Sequence, residues 1–289
     1  MPGIIYHFAG GDAFFTGAAL ILAGAVLRLF ARSRALAIMA RLGAAIGAVF
    51  IALSSTPLPS WLYVLWAIPV LWLILDGRTN EAPRWRRQGL PIFAALIAVA
   101  AAGVELPWHF TPAIDGPRPS RVIVIGDSIS VGMRKDITPW PLIVAKERGM
   151  NIVDLSRAGE KIPGALERAR TLSHQQLEHA VVILEIGGND MLGKTQGRRF
   201  FENLDALLGQ VSGPTTTVIL LELPLPPFYN RYGKAQRALA AKHNAVLIPK
   251  RRFAAILAHP GATIDGLHLS QTGHDLFAEV ILDVVRAPR

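Results

Sequence analysis

The chain has 289 residues, 51% of them hydrophobic and 18% charged, against about 25% charged in an ordinary soluble domain. This composition excludes a disordered or collagen-like chain and argues against a wholly soluble one. With no cysteine, disulfides, thiolate metal sites, Fe–S clusters and a cysteine nucleophile are excluded as well. The net charge of +9 raises nucleic acid as a partner. The excess is diffuse, however: residues 1–119 hold 9 basic and 5 acidic side chains, and residues 120–289 hold 21 and 16. No basic stripe interleaved with aromatics occurs, so no nucleic-acid partner is expected.

Four apolar stretches come first: Ala13–Phe30, Ala35–Leu53, Trp61–Leu75 and Leu90–Leu106. A membrane-spanning helix needs about 20 apolar residues, within a range of roughly 17 to 25. The first, second and fourth meet that length. The third is short, and reads either as a span helped by flanking residues, local thinning or a re-entrant path, or as a buried core helix. No polar face recurs at helical period, which disfavours a soluble bundle. A cleavable signal peptide is not expected, because no basic region precedes the first stretch and three more apolar segments follow. Residues 1–108 therefore read as an all-α transmembrane bundle.

Loop charges orient it. Arg28, Arg32, Arg34 and Arg41 cluster around the first connection, and Arg78, Arg84, Arg86 and Arg87 follow the third segment. The amino terminus up to Asp12 and the loop Ser54–Ser60 carry no Lys or Arg. The cytoplasmic bias of short-loop basic residues then places both ends of the bundle outside. Arg28 and Arg41 lie within apolar stretches but can snorkel to a basic loop. Trp61, Trp85 and Trp108 sit at segment ends, where their rings favour the membrane interface. The segment 109–120, rich in proline, reads as a short stiff linker.

From Arg121 onward, β-branched runs alternate with amphipathic segments. Predicted strands are Arg121–Ile125, Asn151–Leu155, Val181–Ile186, Thr217–Leu221 and Ala245–Ile248. Predicted helices are Pro139–Arg148, Gly164–Leu172, Gly197–Gln210, Arg231–His243 and Thr272–Val285. Continuous apolar strands, each followed by a helix, imply an α/β domain with a parallel sheet covered on both faces. In that architecture ligands bind beyond the carboxyl ends of the strands.

Three post-strand motifs carry chemistry. After the first strand comes Gly126-Asp127-Ser128-Ile129-Ser130, where a serine hydroxyl is held at a strand-to-helix turn; Asp127 or Ser128 would also serve simply as a helix cap. After the third comes Gly187-Gly188-Asn189-Asp190, in which Asn189 can offer an amide to a developing oxyanion, or be an ordinary turn residue. Before the last helix comes Asp265-Gly266-Leu267-His268, where an aspartate three residues upstream can fix the tautomer of His268. Each alone is weak. Together, in the order Ser, Asn, Asp, His, they are what nucleophilic acyl transfer requires.

On these motifs the stretch from about Arg121 to Val285 resembles the GDSL, or SGNH, esterase/lipase hydrolases, especially the lysophospholipase-like and acyl-thioesterase-like branch. GDSIS, IGGND and DGLHLSQTGH match the family's first, third and last blocks, and Gly159 in LSRAGEKIPGAL matches the second more loosely. Arg157 stands there where a smaller residue is usual, and Glu160-Lys161 where an Asp/Glu-Thr pair is frequent. The resemblance implies a flavodoxin-like three-layer domain with a five-stranded parallel sheet, over residues 121–289. It implies Ser128 as nucleophile, His268 as base and Asp265 as its orienting partner. It also implies an oxyanion hole from the backbone N–H groups of Ser128 and Gly159 and the amide of Asn189. No cofactor and no metal is expected. His274 is read as solvent-facing or helix-capping, and His174, His179, His243 and His259 as surface residues. Glu185 is read as a buried structural acceptor. Pro224, Pro226, Pro227, Phe228 and Tyr229 read either as one wall of the pocket or as a plain loop.

The expected function is a membrane-anchored serine esterase acting on an ester-bearing lipid or O-acylated glycan. Its expected place is a bacterial inner membrane, with the catalytic domain on the periplasmic side. Two alternatives remain at this stage: an O-acyltransferase on an envelope polysaccharide, and a non-enzymatic membrane scaffold.

Overall fold

The computed structural model describes residues 2–75, 85–114 and 121–285. Arg78, Arg84 and the end of the linker, 115–120, lie outside the described residues. The chain divides into two compact units: one of residues up to Tyr6 with Thr111–Pro224 and Arg231–Arg289, the other of His7–Phe110 with Leu225–Asn230.

The helical unit begins in helix α1 (Pro2–Ala9) and continues through α2 (Asp12–Phe30), α3 (Arg34–Leu53), α4 (Ser60–Leu75) and α5 (Leu90–Glu105), the last prolonged by a 3₁₀ turn, Leu106–His109. Three helices are long and apolar enough to cross a membrane: Asp12–Phe30, Arg34–Leu53 and Leu90–His109. The fourth, α4, has 16 residues and carries Pro69 in its interior. At ~1.5 Å per residue it is shorter than the ~30 Å of a bilayer core. Helices α2 and α3 approach closely because glycine allows it: a Cβ on Gly47 would lie 2.6 Å from the Gly17 carbonyl oxygen, and one on Gly24 2.7 Å from that of Ala40. The outward faces remain apolar. Ile38, Leu42, Ile46 and Val49 on α3, and Val64, Ile68 and Leu71 on α4, are all exposed. The Arg28 guanidinium lies over the Trp72 ring, 5.7 Å from its centre.

The other unit is an α/β sandwich. In chain order it holds β1 (Arg121–Gly126), α6 (Ser128–Val131), α7 (Trp140–Arg148), β2 (Ile152–Asp154), α8 (Ile162–Ala169) and α9 (His174–Leu177). It continues with β3 (Ala180–Glu185), α10 (Gly188–Leu192), α11 (Gly197–Val211), β4 (Thr217–Leu221) and α12 (Asn230–Lys242). It closes with β5 (Val246–Ile248), α13 (Lys250–Ala258) and α14 (Gln271–Val284). All five strands are parallel in the order β2-β1-β3-β4-β5, the flavodoxin order. Strands β1 and β3 are buried along nearly their whole length, which is why they read as unbroken apolar runs rather than alternating ones. Between them the chain changes direction across the sheet, so the crevice beyond their carboxyl ends is the topological switch point. Trp140 stacks on Phe277 at 5.1 Å, and Phe253 meets Phe277 edge-on at 5.5 Å, tying α7, α13 and α14 into one core.

His274 corrects the expectation of a solvent-facing histidine. It is fully buried, and its Nδ1 accepts the N–H of Trp140, the first residue of α7, at 3.2 Å. It caps an orphan donor of that helix, and burial pushes its ring down to about 4, so it stays neutral.

Candidate active site

The strand ends bring the sequence motifs to one place. A cavity of about 210 Å³ is lined by Ser128 from α6, Gly188 and Asn189 from α10, and His268 from the loop before α14. Its other walls are Asp127, Ile129, Glu185, Met191, Leu192, Leu223, Pro224, Phe253, Leu257 and Leu267.

Ser128 is half-buried and opens α6, directly after β1. Asp127 is the cap of that helix, accepting the N–H of Ile129 at 3.0 Å. Capping and site membership are thus not alternatives, because the same residue does both. Its other oxygen accepts the Asn189 Nδ2 at 2.9 Å, and Asn189 Nδ2 also donates to the Glu160 carbonyl at 3.1 Å. Burial raises Asp127 to about 6.

His268 is held from behind. Its Nδ1 is 2.7 Å from Asp265 Oδ2, while Asp265 Oδ1 accepts the backbone N–H groups of His268 at 2.8 Å and Leu267 at 3.0 Å. These bonds, the imidazole first, hold the exposed Asp265 carboxyl well below the usual carboxylate range. An ionised carboxylate only accepts, so the proton sits on Nδ1 and leaves Nε2 as the basic nitrogen. Tyr6 adds a support that the motifs did not suggest: its hydroxyl donates to the Gly266 carbonyl at 2.8 Å, inside the Asp265–His268 turn.

Gly159, at φ +73, is exposed and does not line the cavity. Its loop nonetheless reaches the site through the next residue, since Glu160 is the carbonyl partner of Asn189. Of the residues after β4, Leu223 and Pro224 line the cavity, and Pro226, Pro227, Phe228 and Tyr229 do not. Gln236 pins that exit, accepting from Leu223 N and donating to the Leu221 carbonyl, both at 3.0 Å. Met191, Phe253, Leu257 and Leu267 were not anticipated. The spacing of Phe253 and Leu257, one turn apart on α13, is the signal that marks them as one face.

Comparison with known proteins falls on the α/β part of the chain. The model of the GDSL-like lipase/acylhydrolase family matches residues 124–276, more than half of the chain. The chain belongs to this family. It is a hydrolase of the esterase type, with apolar helices preceding the GDSL domain. Over 139 residues it is 28% identical to Esterase TesA of Pseudomonas aeruginosa, covering 44% of this chain and 69% of the relative. Over 166 residues it is 26% identical to thioesterase 1/protease 1/lysophospholipase L1 of Escherichia coli, covering 55% and 79%. Among solved structures, the psychrotrophic esterase EstA from Pseudoalteromonas sp. shares the fold at a TM-score of 0.51 and 20% identity. That match covers 57% of this chain and 96% of EstA.

Proposed function

We propose that this protein is a membrane-anchored serine esterase that hydrolyses carboxylic esters, of a lipid or an O-acylated glycan, outside the cytoplasm. The observation that carries the reading is the convergence of Ser128, Asn189 and His268 on one cavity, with His268 bonded to Asp265. The Ser128 oxygen attacks the acyl carbon while His268 Nε2 takes its proton, giving a tetrahedral adduct and an imidazolium facing Asp265. Collapse breaks the ester C–O bond, and the imidazolium protonates the departing alcohol. Water then attacks the acyl-serine, passes a proton to His268, and the acid leaves as Ser128 regains its own. The oxyanion is assigned to the backbone N–H of Ser128 and to Asn189 Nδ2, both on the cavity wall, while Gly159, outside that wall, is left as the donor implied by family resemblance alone; one such donor is worth about 10²- to 10³-fold in turnover.

The apolar lining from Met191, Leu192, Phe253 and Leu257 suits the acyl side of the ester. The name of the Escherichia coli relative, a thioesterase and lysophospholipase, supports a lipid-like acyl substrate here. Exposed apolar faces along α3 and α4 support membrane insertion, because in water such faces would drive association. The basic first connection supports its retention in the cytoplasm.

In full-length protein, Ser128→Ala should lower kcat on p-nitrophenyl esters by about 10⁴-fold or more with the melting temperature unchanged; full activity in that variant ends the reading. The native chain has no cysteine, so single cysteines report topology directly. An impermeant maleimide on intact bacterial cells should label Gln175→Cys and spare Ala35→Cys; the reverse pattern inverts the orientation.

A further inference from the structure

We propose that the buried Asp127–Glu185 carboxyl pair is the positioning device of the oxyanion site: Glu185 stays neutral and anchors the turn bearing Ser128, while Asp127 carries the pair's single charge and fixes the Asn189 amide. This rests on the esterase reading above.

Both carboxyls are buried, Asp127 at 4% exposed and Glu185 at 2%. They are adjacent, the Asp127 backbone N–H meeting Glu185 Oε2 at 3.3 Å, and among the described residues neither forms an ion pair with a lysine or arginine. Two adjacent carboxylates without a countercharge cannot both ionise, so one proton is shared. The partners settle which group keeps it. Asp127 accepts from Ile129 N and Asn189 Nδ2 and faces His268, all of which favour a negative charge. Glu185 accepts from Ser130 Oγ at 2.9 Å and from Asp127 N at 3.3 Å through a single oxygen, Oε2, leaving Oε1 to carry the proton. Burial and the adjacent Asp127 push Glu185 well above the ordinary carboxyl range. The backbone makes room for this contact at Gly126, where a Cβ would lie 3.1 Å from Glu185 Oε2 and closer still to Ser130.

Further charged groups lie nearby: Glu160, whose carboxylate pairs with Arg168 and whose carbonyl meets Asn189, Asp190, which accepts the Ile162 N–H, and Lys161, whose charge acts on Asp190. An amide nitrogen has two hydrogens. One is held by Asp127 through a charge-assisted bond, which is the stronger kind. The other, now on the Glu160 carbonyl, is the one an oxyanion takes, and its direction depends on Asp127 staying charged. As pH falls through about 6 the pair takes its second proton, and Asn189 loses its charged anchor.

The test uses the full-length protein in detergent, p-nitrophenyl esters and a fluorophosphonate probe. In the unsubstituted protein the acid limb of log(kcat/KM) should approach a slope of two, one proton for His268 and one for the pair. Asp127→Asn should reduce the slope to one and lower kcat about 10- to 100-fold, with KM within about twofold. Glu185→Ala should lower kcat similarly, and Glu185→Gln, neutral and of the same shape, should restore most of that loss. If Asp127→Asn fails to fold, the Glu185 pair of variants decides. An unchanged slope and kcat in Asp127→Asn, or Glu185→Gln no better than Glu185→Ala, overturns the proposal. Probe labelling of Ser128 separates the two levels. Labelling with unchanged kinetics sinks the positioning role alone, and no labelling of the unsubstituted protein sinks the esterase reading beneath it.

Discussion

The sheet unit is filled by large side chains: Trp140, Tyr232, Phe200 and Phe277 are among its most deeply buried residues, and Phe200 meets Tyr232 edge-on at 4.8 Å. In the helical unit the tightest contact is made by residues with almost no side chain, Gly17 and Gly24 of α2 against Ala40, Ala44 and Gly47 of α3. On the membrane-anchored reading proposed above, the difference follows from solvent. In water, burying a Trp or Phe is the main driving force for folding. Among lipid tails a leucine gains little by moving inward, so helices associate where backbones can approach and dispersion contacts accumulate. The helical unit buries large side chains as well, Phe14, Ile21 and Trp66 among them, but it also displays long apolar faces on α3 and α4. The proposed catalysis needs the first environment, a rigid core that holds Ser128 and Asn189 just beyond strand ends and His268 in the loop before α14.

The largest effect should come from Asp265→Asn. Neither core is touched, but the Nδ1 proton loses its acceptor and the wrong tautomer becomes available; kcat should fall by about 10⁴-fold. Because the bonded Asp265 carboxyl lies well below the usual range, it stays ionised across the acid limb of the rate profile and adds no proton of its own to that limb. A stopped-assay pH series on both proteins checks this.

Trp140→Ala should cost the sheet unit about 3–5 kcal/mol, as deletion of a buried indole does. Gly47→Leu should cost the helical unit about 1–3 kcal/mol or more by forcing α2 and α3 apart. Hydrogen exchange read by mass spectrometry sharpens the comparison: Trp140→Ala should raise exchange in β1, β3 and α14, and Gly47→Leu in α2 and α3. If both variants loosen the same segments, the two packing regimes are not separate. The smallest effect belongs to Tyr6→Phe, which deletes the hydroxyl bond to Gly266 and should lose about 0.5–1.5 kcal/mol, with kcat down a few-fold at constant KM. Equal loss of KM and kcat would place Tyr6 in substrate binding instead.

The convergence of Ser128, Asn189 and His268 on one crevice was readable from sequence because each directly follows a recognisable strand or precedes a recognisable helix, and parallel topology does the rest. The burial of His274 went unread, although its signal was present. It shares a helical face with Phe277, Ala278 and Ile281, three, four and seven positions on, and that periodicity outweighs the polarity of one imidazole. The roles of Asp127 and Glu185 were not readable, since a carboxyl inside an apolar strand looks the same whether it meets a lysine, a water or a second acid. Tyr6 was hidden for a different reason: no local pattern announces a bond across 260 positions of chain. The short helices Ser128–Val131 and Gly188–Leu192 escaped periodicity because one turn is too short to show it.

The account stands on a single oxygen becoming nucleophilic beside an imidazole. Full-length protein in detergent, treated with a fluorophosphonate and mapped by peptide mass spectrometry, should carry one adduct, on Ser128, and lose esterase activity in step with it. A folded, active protein with Ser128 unmodified, or with activity intact once Ser128 is fully modified, would contradict it.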